Sequence, residues 1–599
     1  MVKFFRNKGV YHFNENYIGF DNDTLSDYQK TKVDVTILDK VIPFKIQKVK
    51  KVSVYTDYTY NKRNNTPKDS TAFKGINFYG FNSLRYNPKY LSQSLFIKPN
   101  SVYSDDSRDL TRKHLRGLKN FKATSIRYNE LNDDELEARI FLTPIEKYTL
   151  GFDSELSRSN IRNFDVSLKF SLINRNTFKG AELFKFSTFG SYFNSNNGPG
   201  WEVGGDVSLE VPRFMMPFGL HKSVPKKMFP RTKFYTGVSI QKNIGLDKQN
   251  ISVGVDYKWN FNKKKSIQLE LLSTQYIRNL NVDNYFRIYN SEYNELEDVA
   301  IKATAFNPQY TLPENGTEHA TDIIGFMRQV TADNNFAIAY PTEYQSSLNV
   351  LNRYNIITSD FLIPEIAYGF TYNNQEGIKD ASYSFFKFRI ANAGNVMGLL
   401  SNKIDVRGQK TVFNIPIAQY FKTDIEYKKY WSLGNNQVLA HRTFLGAIIT
   451  YDKSSIPFSR SYFAGGSNDI RAWRTYDLGP GTRQPGLEYN IGSLKFLSSF
   501  EYRFDLLGSL KGALFVDAGN IWDITNSDFI DDAAKFDSAT SFTDIAVGSG
   551  FGVRYDFKFL LLRLDLGFKT HEPYLKNQRW FKNYNFSNSV LNIGINYPF

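Results

Sequence analysis

Few residues in this chain have the types and spacing that chemistry requires. Arg471 sits between Ile470 and Ala472-Trp473, just after the paired glycines Gly465-Gly466. Two carboxylates follow on alternating apolar–polar runs: Glu501 in Phe500-Glu501-Tyr502-Arg503-Phe504, and Asp517 in Phe515-Val516-Asp517-Ala518-Gly519. No activated nucleophile accompanies these acids, so they are not read as a catalytic pair. The chemistry they can do is electrostatic: a guanidinium offers five donors in a planar fork, and two carboxylates can accept them. The other candidates are weaker. Gly548-x-Gly550-x-Gly552 lies within a strand pattern with no helix after it, so it is not read as a nucleotide loop but as a smooth wall against which another segment packs. His571-Glu572 and Glu318-His319 are adjacent pairs without further metal-ligand partners, and there is no cysteine, so neither a thiolate metal site nor a disulfide framework is expected. No enzymatic activity, cofactor or metal is expected.

Composition narrows what must hold these residues. The chain has 599 residues, a formal net charge of +15 and 16% aromatic residues, including 38 Tyr and 52 Phe. No basic run with interleaved aromatics marks a nucleic-acid surface. No apolar run is long enough for a membrane-spanning helix. Aromatic enrichment suits the girdles of a membrane β-barrel, the other structure that pairs every backbone polar group within lipid. The positive charge then belongs to a wet interior and an anionic membrane surface.

The dyad pattern supports this from about residue 148 onward. Phe164, Val166, Leu168, Phe170 and Leu172 share one face, with Asp165, Ser167, Lys169 and Ser171 on the other. Leu560 to Phe568 repeats it, with Arg563, Asp565 and Lys569 opposite the leucines. A basic side chain on the lipid face costs about 2–4 kcal/mol at the midplane, so the charged face is the lumen. By this rule Glu501 and Asp517 point inward. About sixteen such segments are expected, starting near 148, 163, 183, 201, 233, 250, 266, 357, 381, 415, 436, 491, 510, 545, 559 and 590. Residues 280–356 form a long external loop with a helix near 320–331. The apolar stretch 213–232, which includes Phe214-Met215-Met216-Pro217, falls on the opposite side and has no role in this reading beyond dipping into the interface.

The run Phe463-Ala464-Gly465-Gly466-Ser467-Asn468, then Ile470-Arg471-Ala472-Trp473, then Leu478-Gly479-Pro480, resembles the inward-folding loop of the BamA/TamA superfamily of outer-membrane assembly proteins. That loop carries Val-Arg-Gly-Phe/Tyr, and Ala472 stands where the family has glycine. Phe515-Val516-Asp517-Ala518-Gly519-Asn520 resembles the family's strand thirteen. The final Asn592-Ile593-Gly594-Ile595-Asn596-Tyr597-Pro598-Phe599 is similar to its β-signal. The resemblance implies a mainly β chain: a 16-stranded antiparallel transmembrane β-barrel preceded by α/β periplasmic POTRA modules. Residues 1–40 resemble part of a module, expected to lean on its neighbour, and 41–147 a complete one, with 61–82 as an insertion loop. Residues 148–599 are the barrel, with 456–490 folded inward. Residues 1–8 have a basic start but no apolar core of a signal peptide, so further sequence is expected upstream.

For function, the resemblance implies Arg471 paired in the lumen with Glu501 and Asp517, beside Ile470, Trp473, Phe515 and the glycines 465 and 466. It implies a lateral gate between the first strand, at Gly151, Phe152 and Asp153, and the last, at Asn592, Gly594, Tyr597 and Phe599. Leu591, Ile593, Ile595, Tyr597 and Phe599 are expected on the outer face, with Pro598 weakening the pairing there. The implied partners are unfolded outer-membrane clients, a periplasmic or lipoprotein accessory subunit, and the bilayer with its lipopolysaccharide. A TamA-like insertion factor is favoured. The alternative is an export channel of the two-partner-secretion type. A passive porin has no reason to carry POTRA-like modules.

Overall fold

The computed structural model describes residues 1–599 except 24–31, 39–43, 158–161, 196–197, 218, 220–222, 243–245, 316–319, 378–379, 402, 406–407, 435, 452–453, 484–489, 526–531, 558–560 and 596. Glu318-His319, Leu560 and Asn596 therefore lie outside the described residues. Contacts divide the chain into two compact units. The first comprises Met1–Gly151, Leu172–Phe186 and Ser208–Lys233, and the second Phe152–Ser171, Ser187–Val207 and Phe234–Phe599.

The first unit is built on an α/β layer. Helix α1 (Val2–Asn7) is followed by the hairpin of β1 (Ile18–Asp23) and β2 (Lys32–Ile37). The main sheet contains β3 (Lys48–Tyr55), β4 (Asp69–Phe73), β5 (Ile76–Gly80), β6 (Ser101–Val102), β7 (Phe121–Asn132) and β8 (Glu135–Pro144). Its order is β4-β5-β3-β8-β7, with β6 beside β3. Residues 69–80, expected as loop, instead form the hairpin β4–β5, and β5 runs parallel to β3. The reason is visible in Ile76, Phe78 and Gly80: their alternation buries one face, although Lys, Asp and Asn around them read as a solvated turn.

Helices α2 (Pro88–Leu91) and α3 (Asp105–Gly117) cover this sheet. Helix α3 starts where Ser104 caps the Ser107 amide and Asp105 and Asp106 face the positive end of the helix dipole. It buries Thr111, His114 and Leu115. The N-terminal segment leans on this helix, with Arg6 bonded to Asp105 at 2.7 Å and to the Tyr103 hydroxyl at 2.8 Å. Phe13 is buried beside Phe5 and Phe44.

The barrel sheet contains sixteen strands: β9 (Tyr148–Ser157), β10 (Arg162–Arg175), β11 (Leu183–Ser195), β12 (Gly198–Val211), β13 (Arg231–Lys242), β14 (Asp247–Asn260), β15 (Lys265–Leu280), β16 (Phe361–Asn373), β17 (Ser384–Ala393), β20 (Tyr420–Gly434), β21 (Gln437–Thr450), β22 (Leu494–Leu507), β23 (Leu510–Trp522), β24 (Ala546–Asp556), β25 (Leu561–His571) and β26 (Val590–Ile595). A small hairpin, β18 (Thr411–Val412) with β19 (Ile415–Pro416), lies between β17 and β20. The sheet's hydrogen-bonded order runs without crossovers from β26 to β9. Strand starts fall within a few residues of those expected from periodicity, because a one-residue slip would put charges on the lipid face. Leu562 and Leu564 are exposed on the outer face, whereas Arg563 and Asp565 are buried inside.

The external connection from β15 to β16 is not a loop with one helix. It holds α4 (Tyr285–Ile288), α5 (Asn290–Phe306), α6 (Ala320–Ala332), α7 (Asn334–Ala339) and α8 (Pro341–Thr358), packed around Tyr285, Leu296, Met327, Phe336 and Val350. Phe458, of the inward-folded loop, and Leu246 pack against this cluster. A further helix, α9 (Asn395–Leu400), follows β17.

In the first unit, His114 is 7% exposed and lies between Phe96 and Phe229. Burial, with Lys226 and Lys113 nearby, pushes its pKa down to about 3. A histidine depressed below its unfolded value of about 6.5 stabilises the fold fully above that pH and loses this stabilisation as pH falls. Between pH 7 and 5 the loss is roughly 1–2 kcal/mol. Hydrogen–deuterium exchange of α3, corrected for intrinsic rates, is expected to show protection falling across this window, and His114→Phe to abolish that fall. Equal protection at both pH values would contradict the assignment.

Candidate functional site

The lumen face of β22 carries Lys495, Leu497, Ser499, Glu501 and Arg503, all buried, while Phe500 points to lipid and is 46% exposed. On β23, Phe515 and Asp517 are inside and Leu514 and Val516 outside. The register sets Ser499 opposite Asp517 and Glu501 opposite Phe515, so the two acids lie diagonally on adjacent strands. Strand β25 adds Arg563 and Asp565, and β24 adds Arg554, all buried in the interior.

The loop 456–490 reaches these strands through a tight turn. Gly465 and Gly466 have φ of +92° and +106°, which L side chains rarely adopt. The Gly466 amide donates to the Trp473 carbonyl at 2.8 Å, and the Asp469 carboxylate accepts the Gly465 amide at 2.9 Å. Ile470, Ala472 and Trp473 are buried in one cluster with Leu497 and Ile521. Ala472 has no positive φ, so its backbone carries a methyl without strain. Its methyl lies against Gly548, where a Cβ would come within 2.6 Å of it. A Cβ at Gly567 would come 2.5 Å from the Arg471 carbonyl oxygen. The wall is smooth at these points because the arm lies on its backbone.

Arg471 sits at the tip of this arm and is 1% exposed. Its Nε and Nη2 donate to the two oxygens of Asp517 at 2.8 and 2.9 Å, a planar bidentate pair. Nη1 donates to Glu501 at 2.5 Å and to Asp565 at 3.3 Å. The Arg471 amide donates to Asp517 at 3.1 Å, and the guanidinium lies 3.5 Å over the Phe515 ring. Arg554 is ion-paired with Glu501 at 3.2 Å and Asp565 at 2.8 Å. Arg503 bonds Glu501 at 2.8 Å, and Arg563 bonds Asp565 at 2.9 Å. Arg563 also reaches the loop, donating to Ser467 O at 2.9 Å and Asn468 Oδ1 at 2.5 Å.

Sequence reasoning named Arg471, Glu501 and Asp517 and missed the parts played by Asp565, Arg554, Arg563 and Arg503. The available signal was their common lumen-facing parity. The arginines outnumber the carboxylates, four to three.

The residues expected at a lateral gate divide. Asn592 is buried and donates to the Arg471 carbonyl at 2.9 Å, tying β26 to the arm. Gly594 faces Arg563, whose Nε would lie 2.5 Å from a Cβ there. Tyr597 and Phe599 are not on the outer face, as alternation implied. Strand β26 ends at Ile595, and Arg503, a lumen residue, lies 3.9 Å over the Tyr597 ring and donates to the Phe599 main-chain oxygen at 3.2 Å. The strand parity stops applying once the ladder stops. At the other end, Gly151, Phe152 and Asp153 lie within β9, and Phe152 is 69% exposed. Among the described residues no group of His, Cys, Asp or Glu could hold a metal ion.

Removing Arg471 leaves a cluster of buried carboxylates without their central partner, which costs about 3–5 kcal/mol. Arg471→Ala is expected to lower the urea midpoint of the detergent-solubilised chain correspondingly. Arg471→Lys should recover little, because a point charge cannot bridge Asp517 bidentately and reach Glu501 as well. An unchanged midpoint in Arg471→Ala would remove the arm from the stability of the barrel.

The Omp85 superfamily domain matches residues 146–589. Among solved structures, the chain is similar to BamA from Haemophilus ducreyi lacking POTRA domains 1–3, with a TM-score of 0.56 and 10% identity, over 98% of this chain and 90% of that one. It also aligns with CdiB from Acinetobacter baumannii, with a TM-score of 0.45 and 10% identity, over 98% of this chain and 78% of that one. The family match covers well over half of the sequence, from β9 through β25 with the arm among them, and this chain belongs to the Omp85 superfamily as an outer-membrane β-barrel.

Proposed function

We propose that the chain is a TamA-like insertion factor that passes client polypeptides laterally, through a gate between β9 and β26. The observation that carries this is the closing strand. It has six residues, against eleven in β25 beside it, and its tail turns away from the ladder onto Arg503. So short a strand offers few main-chain bonds across a seam; besides its ladder with β25, Asn592 ties it to the arm and Gly594 lies against Arg563. A client strand can add to an edge exposed there by main-chain hydrogen bonding, as in strand addition elsewhere. The client's own burial and backbone pairing drive insertion, with no nucleotide required.

The six-stranded α/β layer acts as a POTRA module that receives unfolded clients, with β4 and β7 as its edges. An accessory periplasmic or lipoprotein subunit completes the machine. Export straight through the bore is the other reading. Against it stand Arg471 and Trp473 buried inside, and α4–α8 packed against Phe458 of the same arm.

The chain lacks cysteine, so introduced pairs report cleanly. Cysteines placed across β9 and β26 and oxidised in proteoliposomes are expected to reduce insertion of a small β-barrel client at least tenfold, with recovery on reduction. Unimpaired insertion with the seam locked would refute lateral gating. Continued release of a secreted polypeptide under the same lock would favour the export channel.

A further inference from the structure

The apolar stretch between β12 and β13 has a place in the first unit. Phe229 stacks on His114 with ring centroids 3.4 Å apart. Lys226 donates to the Leu95 carbonyl at 2.5 Å and lies 4.4 Å from the centre of the Phe96 ring. Arg231 donates to the Gly117 carbonyl at 2.7 Å and pairs with Glu210. Arg213 stacks on Tyr90 and pairs with Glu182 at 3.0 Å. Arg213, Lys226, Phe229 and Arg231 are thereby pinned to the helical layer, and beside them lies a cleft of about 490 Å³.

The cleft is lined by the apolar Leu118, Phe214, Phe229 and Pro230 and by the polar Lys226 and Gln93. Its charge is unbalanced. Arg213 and Arg231 each hold a carboxylate, but Lys226 has none among the described residues. Its electrostatic neighbours are cations: burial, then Lys98 and Lys74, hold its ammonium below the ordinary lysine range. Lys113 adds a further positive charge 4.8 Å from the centre of the Phe229 ring. An anion beside Lys226 would relieve this repulsion, and the apolar lining suits hydrocarbon.

We propose that this cleft binds the phosphate of an anionic glycerophospholipid, with the headgroup at Lys226 and the first methylenes against Phe214, Phe229 and Pro230. Continuity selects the lipid over other anions. The stretch is the turn between two membrane-spanning strands, on the side of the sheet where the chain enters β9 from the module. It therefore sits at the headgroups of the periplasmic leaflet. A free phosphate would leave the apolar wall unused. An acidic peptide would find proline-rich segments with few free amides to pair with.

The test uses the full chain in phosphatidylcholine nanodiscs, titrated with dihexanoyl phosphatidylglycerol, dihexanoyl phosphatidylcholine, inorganic phosphate or an aspartate-rich peptide. Phosphatidylglycerol is expected to bind at least tenfold more tightly than the other three. Lys226→Gln should weaken it about tenfold, and Lys226→Arg should retain it, which separates lost charge from lost folding. Equal affinity for both lipids, equal affinity for free phosphate, tighter binding of the peptide, or undiminished binding in Lys226→Gln would each overturn the proposal.

Discussion

The barrel interior is organised by the burial of one guanidinium among carboxylates that cannot be left alone. Glu501, Asp517 and Asp565 are each fully buried on strand faces that must point inward. Ionised and buried, each would be costly unless compensated. Arg471 supplies the central compensation from outside the sheet, so the loop bearing it is drawn down the bore. The paired glycines that let the loop reverse, and the glycines of β24 and β25 that let it approach, follow from that requirement. Arg554, Arg503 and Arg563 then occupy the remaining carboxylate oxygens and join the arm to four consecutive strands, β22 to β25.

A second polar centre lies across the sheet. Arg389 on β17 bonds Glu270 on β15 at 2.8 Å and pairs with Glu365 on β16, which accepts the Tyr420 hydroxyl at 2.8 Å. Arg460, at the root of the arm, donates to Gln275 at 3.0 Å, and Lys422 donates to the Arg460 carbonyl at 2.8 Å. The arm is therefore held at its root and at its tip by strands from different parts of the sheet. The last strand is paired with β25 from Val590 to Ile595 and is also tied to the arm through Asn592. Whatever moves the arm also acts on β26.

What was legible in the sequence was what local periodicity and the cost of charge in lipid dictate. Alternation through Leu562-Arg563-Leu564-Asp565 fixes which side each residue faces, because the opposite register would expose charge to hydrocarbon. The same rule placed Glu501 and Asp517 inward, and the motif around Arg471 named their partner. The helix at 320–332 was legible from its own pattern, but its four companions between 285 and 358 were not. Their apolar residues pack against one another across the insertion instead of forming a stripe on one helix.

Sequence by itself determined the barrel strands, the faces of their paired residues and the identity of the arm. The tertiary structure alone decided which groups meet. Asp565 joins Arg471 from 94 residues away because β25 lies two strands from β23, and no local pattern encodes that distance. The hairpin at 69–80 and the packing of Phe229 and Arg231 on α3 were likewise settled by surfaces brought together from distant segments. The inward turn of Tyr597 and Phe599 has the same origin. Parity governs a side chain only while its backbone is paired in the sheet, and beyond Ile595 the direction is set by Arg503, a residue on a strand four places away.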